Sequence, residues 1–321
     1  MIRKKNFFCK TNANITKKLK FSGAFVSVCL FCLAIFFLFS GSCSKQHRQN
    51  GNILIAVSIP PQAWFVSQIA GDKADILILA GPGQNPHNFE PSPRQIQALS
   101  SAGAWILSGT EFEIGLLPKI TPLFSDLLIV DGTEGVIFRL LEDHEHIHEH
   151  SELHNNCLTE IDRHTWLGRE PAKILASHIK NTLSALDNKN SDFYKNRYEN
   201  LVNEIDNVFD ELRIILKPLE GRNIFVYHPS FGYFLDEFGI HQEAVETGGK
   251  EPTPRQLNNL IAKINEEKAS AVFVQSQFPS NAAGSLAKAA GIEVVILDPL
   301  AQDWLENIKY MGGALYRMIL E

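Results

Sequence analysis

The heptapeptide "EPSPRQI" at Glu90–Ile96 returns as "EPTPRQL" at Glu251–Leu257, and its surroundings return with it. Ahead of the first copy run a β-like "NILIAVS", a helix-like "PQAWFVSQIAG" and a second β-like "ADILILA". Ahead of the second copy run "NIFVYH", "SFGYFLDEFG" and "HQEAVE". Behind each copy a helical stretch leads to a further β-like run, "AWILSG" in one half and "AVFVQS" in the other. Each heptapeptide also carries the chemistry of a helix start. Ser92 and Thr253 are N-cap residues, and Pro93 and Pro254 fit the first helical position, where an N–H has no partner. Gln95 and Gln256, three residues past the cap, complete a capping box. Short β-branched runs alternating with helices imply parallel sheets. The repeated order therefore predicts an α/β fold of two similar parallel-sheet lobes.

Between the halves, "SDFYKNRYENLVNEIDNVFDELRIILKPLEG" places apolar residues at helical spacing: Tyr194, Tyr198, Leu201, Ile205, Val208, Leu212 and Ile215. Ser191 can cap this helix, and Pro218 with Gly221 ends it. The chain accordingly divides into an N-terminal lobe at 51–190, a connecting helix at 191–217 and a C-terminal lobe at 218–321. At 1.5 Å per residue the helix is roughly 40 Å long, a rigid strut between the lobes.

The amino-terminal segment stands apart. Residues 1–42 hold seven Lys/Arg and no acid, and include the apolar run "FSGAFVSVCLFCLAIFFLFS" and the small residues that precede Cys43. This order reads as an export signal at 1–42, with Cys43 as the lipid-attachment residue and 43–50 as a tether. The length of the apolar run leaves an uncleaved membrane anchor as the alternative. Either way the remainder of the chain lies outside the cytoplasm. Of 30 Lys/Arg in the chain, the leader takes seven, leaving 23 against 36 acids and a formal charge of −13. Nucleic acid is excluded as a partner by that balance, because phosphate binding needs a positive surface. Beyond the leader only Cys43 and Cys157 remain, so a lipidated Cys43 leaves no disulfide, and cores must hold the fold.

In open α/β sheets ligands bind beyond the carboxyl ends of the strands. Polar residues just after the β-like runs are His87, His164 (after "NCLTEID"), His228 and Asp298. A histidine after a strand is most often a loop residue with a hydrogen-bond partner, and an Asp before Pro a turn residue. Four candidates at equivalent edges, two from each half, raise the alternative of a metal site in the interlobe cleft. Three nitrogens and one oxygen suit Zn2+.

These same residues carry a resemblance. "GQNPHNFEPSP", "DRHTWL", "YHPSFGYF" and "LDPL" resemble the four metal-site motifs of the solute-binding proteins of zinc and manganese ABC transporters (cluster A-I), over residues 52–321. Asn85 and Arg163 depart from the family's usual Asp and Pro, and Gln275 stands where many members carry Glu. The resemblance implies two α/β lobes, a long connecting helix with modest closure, and a bound metal between the lobes. His87, His164 and His228 are ligands in that pattern, and Asp298 is a ligand in some members and water-bridged in others. It further implies a monomer that delivers zinc to a cognate ABC permease and its ATPase, and no enzymatic activity. His228 points to zinc, since manganese carriers usually have Glu there.

The tract "EDHEHIHEHSELH" spells His144-Glu145-x-x-His148, the zinc-protease pattern, but Ile147 and Leu153 are its only apolar residues, so it has no face to pack. The expectation is a mobile acidic loop at 142–155 whose His144, His146, His148, His150 and His154 collect metal at low affinity; a merely solvated loop is the alternative. Three other readings stand beside the zinc carrier: a broader zinc and manganese carrier, an adhesin-like lipoprotein, and an envelope metallohydrolase with Glu160 or Asp162 as base.

Overall fold

The computed structural model describes residues 52–141, 161–246, 252–278 and 281–320. The leader, Cys43 and the His-rich tract lie outside the described residues. The N-terminal half runs β1 (Ile53–Val57), α1 (Pro60–Ala70), β2 (Ala74–Ile78), α2 (Pro93–Leu99), β3 (Ala104–Leu107), α3 (Glu111–Ile120) and β4 (Leu128–Asp131). A 3-10 turn at Thr165–Leu167 leads to α4 (Arg169–Leu186) and the long α5 (Ser191–Leu216). The second half runs β5 (Asn223–Val226), α6 (Gly232–Asp236), β6 (His241–Ala244), α7 (Pro254–Glu267), β7 (Ala271–Val274), α8 (Asn281–Ala290), β8 (Glu293–Ile296) and α9 (Trp304–Leu320).

Both sheets are parallel and have the same topology, β2-β1-β3-β4 and β6-β5-β7-β8. Ile55 at the centre of the first pairs with Ile76 and Ala104, and Phe225 in the second with Glu243 and Val272. Strands β3 ("AWIL") and β7 ("AVFV") are buried at every residue, as strands covered on both faces must be. The repeated heptapeptide explains the matching helix starts. Ser92 Oγ and Thr253 Oγ1 accept from the backbone of Gln95 and Gln256, whose side chains accept from the cap N–H at 2.8 and 2.9 Å.

Two local expectations shift. The "NCLTEID" run forms no strand among the described residues: Ile161 makes one antiparallel bridge to Leu140, and the part before it lies outside them. On α5 the buried face takes in Phe209 and Leu216, while Ile215 is 38% exposed. A period of 3.6 residues drifts around the helix over seven turns, so a stripe counted by eye slips off the buried side near its end.

The largest apolar cluster belongs to neither lobe alone. It takes in Ile55 of β1, Phe65 of α1, Ile179 of α4, Phe209 of α5, Val226 of β5 and Trp304 of α9. Two smaller clusters, around Trp105 and Phe225, lie on the remaining side of each sheet. With 26 residues, α5 is about 39 Å long. The joint is also hydrogen-bonded, with Trp166 Nε1 donating to Pro299 O (2.8 Å) and Trp304 Nε1 to Trp166 O (2.7 Å). Helix α9 approaches α5 closely at Gly312, where an added Cβ would meet Leu212 Cδ2 at 2.2 Å; at Gly313 nothing lies within 4 Å.

These neighbouring glycines give a paired test. Gly312→Ala should destabilise by about 1–3 kcal/mol, because buried Leu212 has nowhere to move. Gly313→Ala should stabilise by about 0.5–1 kcal/mol through helix propensity. Denaturant melts of the two variants against the parent check both signs.

Candidate metal centre

Histidines from three separate segments meet between the sheets. His87 sits in the loop that leaves β2, His164 in the segment that joins the lobes, and His228 just past β5. One ring nitrogen from each lies within 4.8 Å of the others, and His164 Nε2 stands 3.3 Å from His228 Nε2. The ring centroids are 4.8–5.4 Å apart. His164 and His228 are 6% and 9% exposed, whereas the His87 side chain is 31% exposed.

Each ring spends its other nitrogen on a carboxylate. His164 Nδ1 faces Asp162 Oδ1 at 2.8 Å, His87 Nδ1 faces Glu111 Oε2 at 3.0 Å, and His228 Nδ1 bonds Glu246 Oε1. A carboxylate only accepts, so Nδ1 carries the proton in each neutral ring and Nε2 is left as a bare lone pair. Three lone pairs then converge without a proton among them, which is unfavourable unless a cation lies between. Carboxylate–imidazole–metal is the usual way such a ligand is oriented and made more basic. The cavity at this point holds only about 20 Å³ for a water-sized sphere, room for one ion or one water.

Buried residues hold the tethers in place. Asp162, fully buried, also accepts from His164 N (3.0 Å) and Arg139 (2.8 Å). Burial would raise its carboxyl, but His164 and Arg139 together bring it below the usual range. Glu111 opens α3, and the turn before it is fixed by buried Glu113, which accepts from Ser108 N and Gly109 N, both at 2.8 Å. Against the effect of burial, the bond and charge of His87 hold Glu111 down at about 2. Gln275, directly after β7, accepts from His228 N and donates to His228 O and Ser230 Oγ, pinning that loop. Phe278 stacks on the His228 ring at 4.5 Å.

Asp298 is placed differently from the histidines. Its Oδ1 accepts from Gln277 Nε2 (2.6 Å) and Leu300 N (2.9 Å), and it is outside the convergent group. The carboxylate beside the rings that sequence reasoning missed is Glu111. Glu246 and Arg139 were missed as well, and no local motif marks any of the three. Asn85 Oδ1 accepts from His87 N (3.0 Å), and Arg163 donates to Gly109 O (2.9 Å) with Glu111 3.7 Å away.

Two like α/β lobes on a shared core, with imidazoles from both converging on an ion-sized cavity, define a two-lobed metal-binding protein of the solute-binding kind. The family model described as "Zinc-uptake complex component A periplasmic" (ZnuA) matches residues 55–317, and the chain belongs to that family of solute-binding transport proteins. It is similar to the zinc-binding lipoprotein AdcA of Streptococcus pneumoniae, 26% identical over 300 residues, 88% of this chain and 57% of AdcA. The chain thus spans a little over half the length of that relative. It is also similar to the crystal structure of ZnuA, with a TM-score of 0.75 and 32% identity over 83% of this chain and 99% of that one. A ZnuA deletion mutant with zinc bound matches at a TM-score of 0.75 and 31% identity, over 83% and 98%.

Stability of the metal-free protein should follow the tethered groups. Burial, then the neighbouring His164 and His87, push His228 down from 6.5 to about 4, although Glu246 opposes this. Between those values the unfolded chain binds the proton and the folded chain does not. The stability that this neutral ring contributes is therefore complete above pH 6.5 and is lost as pH falls through about 4. Glu111 adds a loss in the same direction between 4.5 and about 2. Thermal melts of metal-free protein from pH 7 to 4 should show a steady fall in Tm, and His228→Gln should flatten the upper part of that slope.

Proposed function

We propose that this chain captures Zn2+ outside the cytoplasm in the three-imidazole cleft and passes it to an ABC permease for uptake. The observation that carries this reading is the set of three carboxylate-tethered rings presenting bare Nε2 lone pairs to one cavity of about 20 Å³. His87, His164 and His228 are the ligands in this reading. Membership of a zinc-uptake family and likeness to AdcA support it. The periplasmic family description supports an exported chain, and lipid at Cys43 accords with the lipoprotein relative. Among the described residues no helix is long and apolar enough to cross a membrane.

Imidazole donors favour zinc over manganese, which prefers carboxylate and water, and the divalent affinity order runs the same way. A hydrolase would need room for an ester or amide beside the metal, and a base free to act. The cavity is ion-sized, and Asp162 is buried with both carboxylate oxygens engaged, by His164 and by Arg139. Glu160 lies outside the described residues.

The test is a competition titration at neutral pH followed by metal analysis after dialysis. One zinc per chain should survive in the tight site, with manganese at equal free concentration leaving it largely undisturbed. Alanine at His87, His164 or His228 should weaken zinc binding by about 10²-fold or more with the fold retained. Comparable manganese occupancy would make the protein a broader carrier. His228→Glu should move preference toward manganese. Deleting residues 143–154 should spare the tight site and remove only weak zinc equivalents.

A further inference from the structure

Behind His164 the structure continues a chain of contacts that reaches the C-terminal lobe. Asp162 Oδ1 is bonded to the His164 ring and its backbone N–H, and Oδ2 to the Arg139 guanidinium at 2.8 Å. The same guanidinium donates through Nε to Asp236 of α6 at 2.9 Å. Backbone links run parallel to these. Asp162 N donates to Arg139 O (3.0 Å), Arg139 N donates to Tyr233 Oη (3.0 Å), and Tyr233 Oη donates to Asp162 O (3.1 Å). The arginine is 12% exposed and lies on Gly232, where an added Cβ would sit 1.9 Å from the guanidinium nitrogen. Glycine at the start of α6 is thus what lets Arg139 reach both acids.

We propose that Arg139 is a positioning residue for metal binding. It fixes Asp162, and through Asp162 the orientation and tautomer of His164, by reference to α6 of the other lobe. The inference rests on the reading of His87, His164 and His228 as the zinc site. Three physical points support it. Asp162 has no exposure, so its direction is set wholly by its partners. A planar, forked cation bonds two carboxylates from different elements in fixed directions, which a lysine ammonium on a flexible stem does less well. The residue that the ring depends on is itself anchored across the lobes, so a change in the relation of α6 to the His164 segment is felt at a metal ligand.

The experiment compares parent, Arg139→Gln, Arg139→Lys and Asp236→Asn. Zinc affinity is measured by chelator competition, site geometry by the visible spectrum of the Co2+-loaded protein, and stability by thermal melts. Arg139→Gln should bind zinc about 10–100-fold more weakly, the range seen when the partner behind a ligating histidine is lost, with a shifted cobalt spectrum. Arg139→Lys should fall between Gln and parent. Asp236→Asn, at a residue half exposed to solvent, should fold normally and give a smaller loss with a spectral shift of the same sense. Should Arg139→Gln fail to fold, Asp236→Asn carries the decision alone. Parent-like affinity and spectrum in a folded Arg139→Gln, or in Asp236→Asn, would overturn the positioning role. So would lower affinity that tracks lower Tm with the cobalt spectrum unchanged, since that is loss of fold alone. A parent protein that fails to hold one zinc per chain would instead overturn the reading of the site.

Discussion

Three imidazole nitrogens that cannot hydrogen-bond to one another face each other across an ion-sized cavity, and much of the architecture serves to keep them there. Left free, such rings would rotate or change tautomer. Each is prevented by a carboxylate on its far nitrogen, and two of those carboxylates, Asp162 and Glu246, are buried. A buried acid is costly unless it is fully bonded. Asp162 meets that condition through the His164 ring, the His164 backbone N–H and the Arg139 guanidinium. The expense of burying charge is thereby converted into a fixed direction of the His164 ring.

The scaffold that holds these groups is two sheets and one core. A cluster continuous from β1 through α5 to α9 means that wide opening of the lobes would expose apolar surface now buried. At about 25 cal/mol for each Å² uncovered, separating even a few of these side chains is expensive. Small movements of loops and of the His164 segment are the affordable ones. That suits a ligand with no bulk, since an ion needs no gaping cleft to enter.

Sequence carried the repeat, the connecting helix and the three histidines, because each leaves a local mark: a capping box, a helical period, a polar residue past a β-like run. It did not carry the tethers. Glu111 is 24 positions from His87, Glu246 is 18 from His228 and Arg139 is 23 from Asp162. Such pairs are set by how two strand edges meet, and no spacing rule encodes that. The edge of the buried stripe on α5 was misplaced for a related reason: Ile215 and Leu216 are adjacent in sequence, and only packing against the rest of the fold decides which faces inward. Asp298 is at the strand edge where sequence put it, yet its carboxylate oxygen is occupied by Gln277 and Leu300.

That occupation bears on the fourth coordination position. For its Oδ1 to turn to a metal held by three nitrogens, Asp298 would give up two hydrogen bonds to a charged acceptor, each worth about 1.5–3 kcal/mol. Gln277 would then lose the partner of its Nε2, while its Oε1 is already buried without one. A water entering as fourth ligand breaks neither bond. The same reasoning separates His87 from the other two histidines. Its ring and its partner Glu111 are partly exposed, at 31% and 42% of their side chains, so rearranging them costs little desolvation. His164 and His228, with buried acids behind them, form the rigid half of the site. His87, with the most exposed ring of the three, forms the open half.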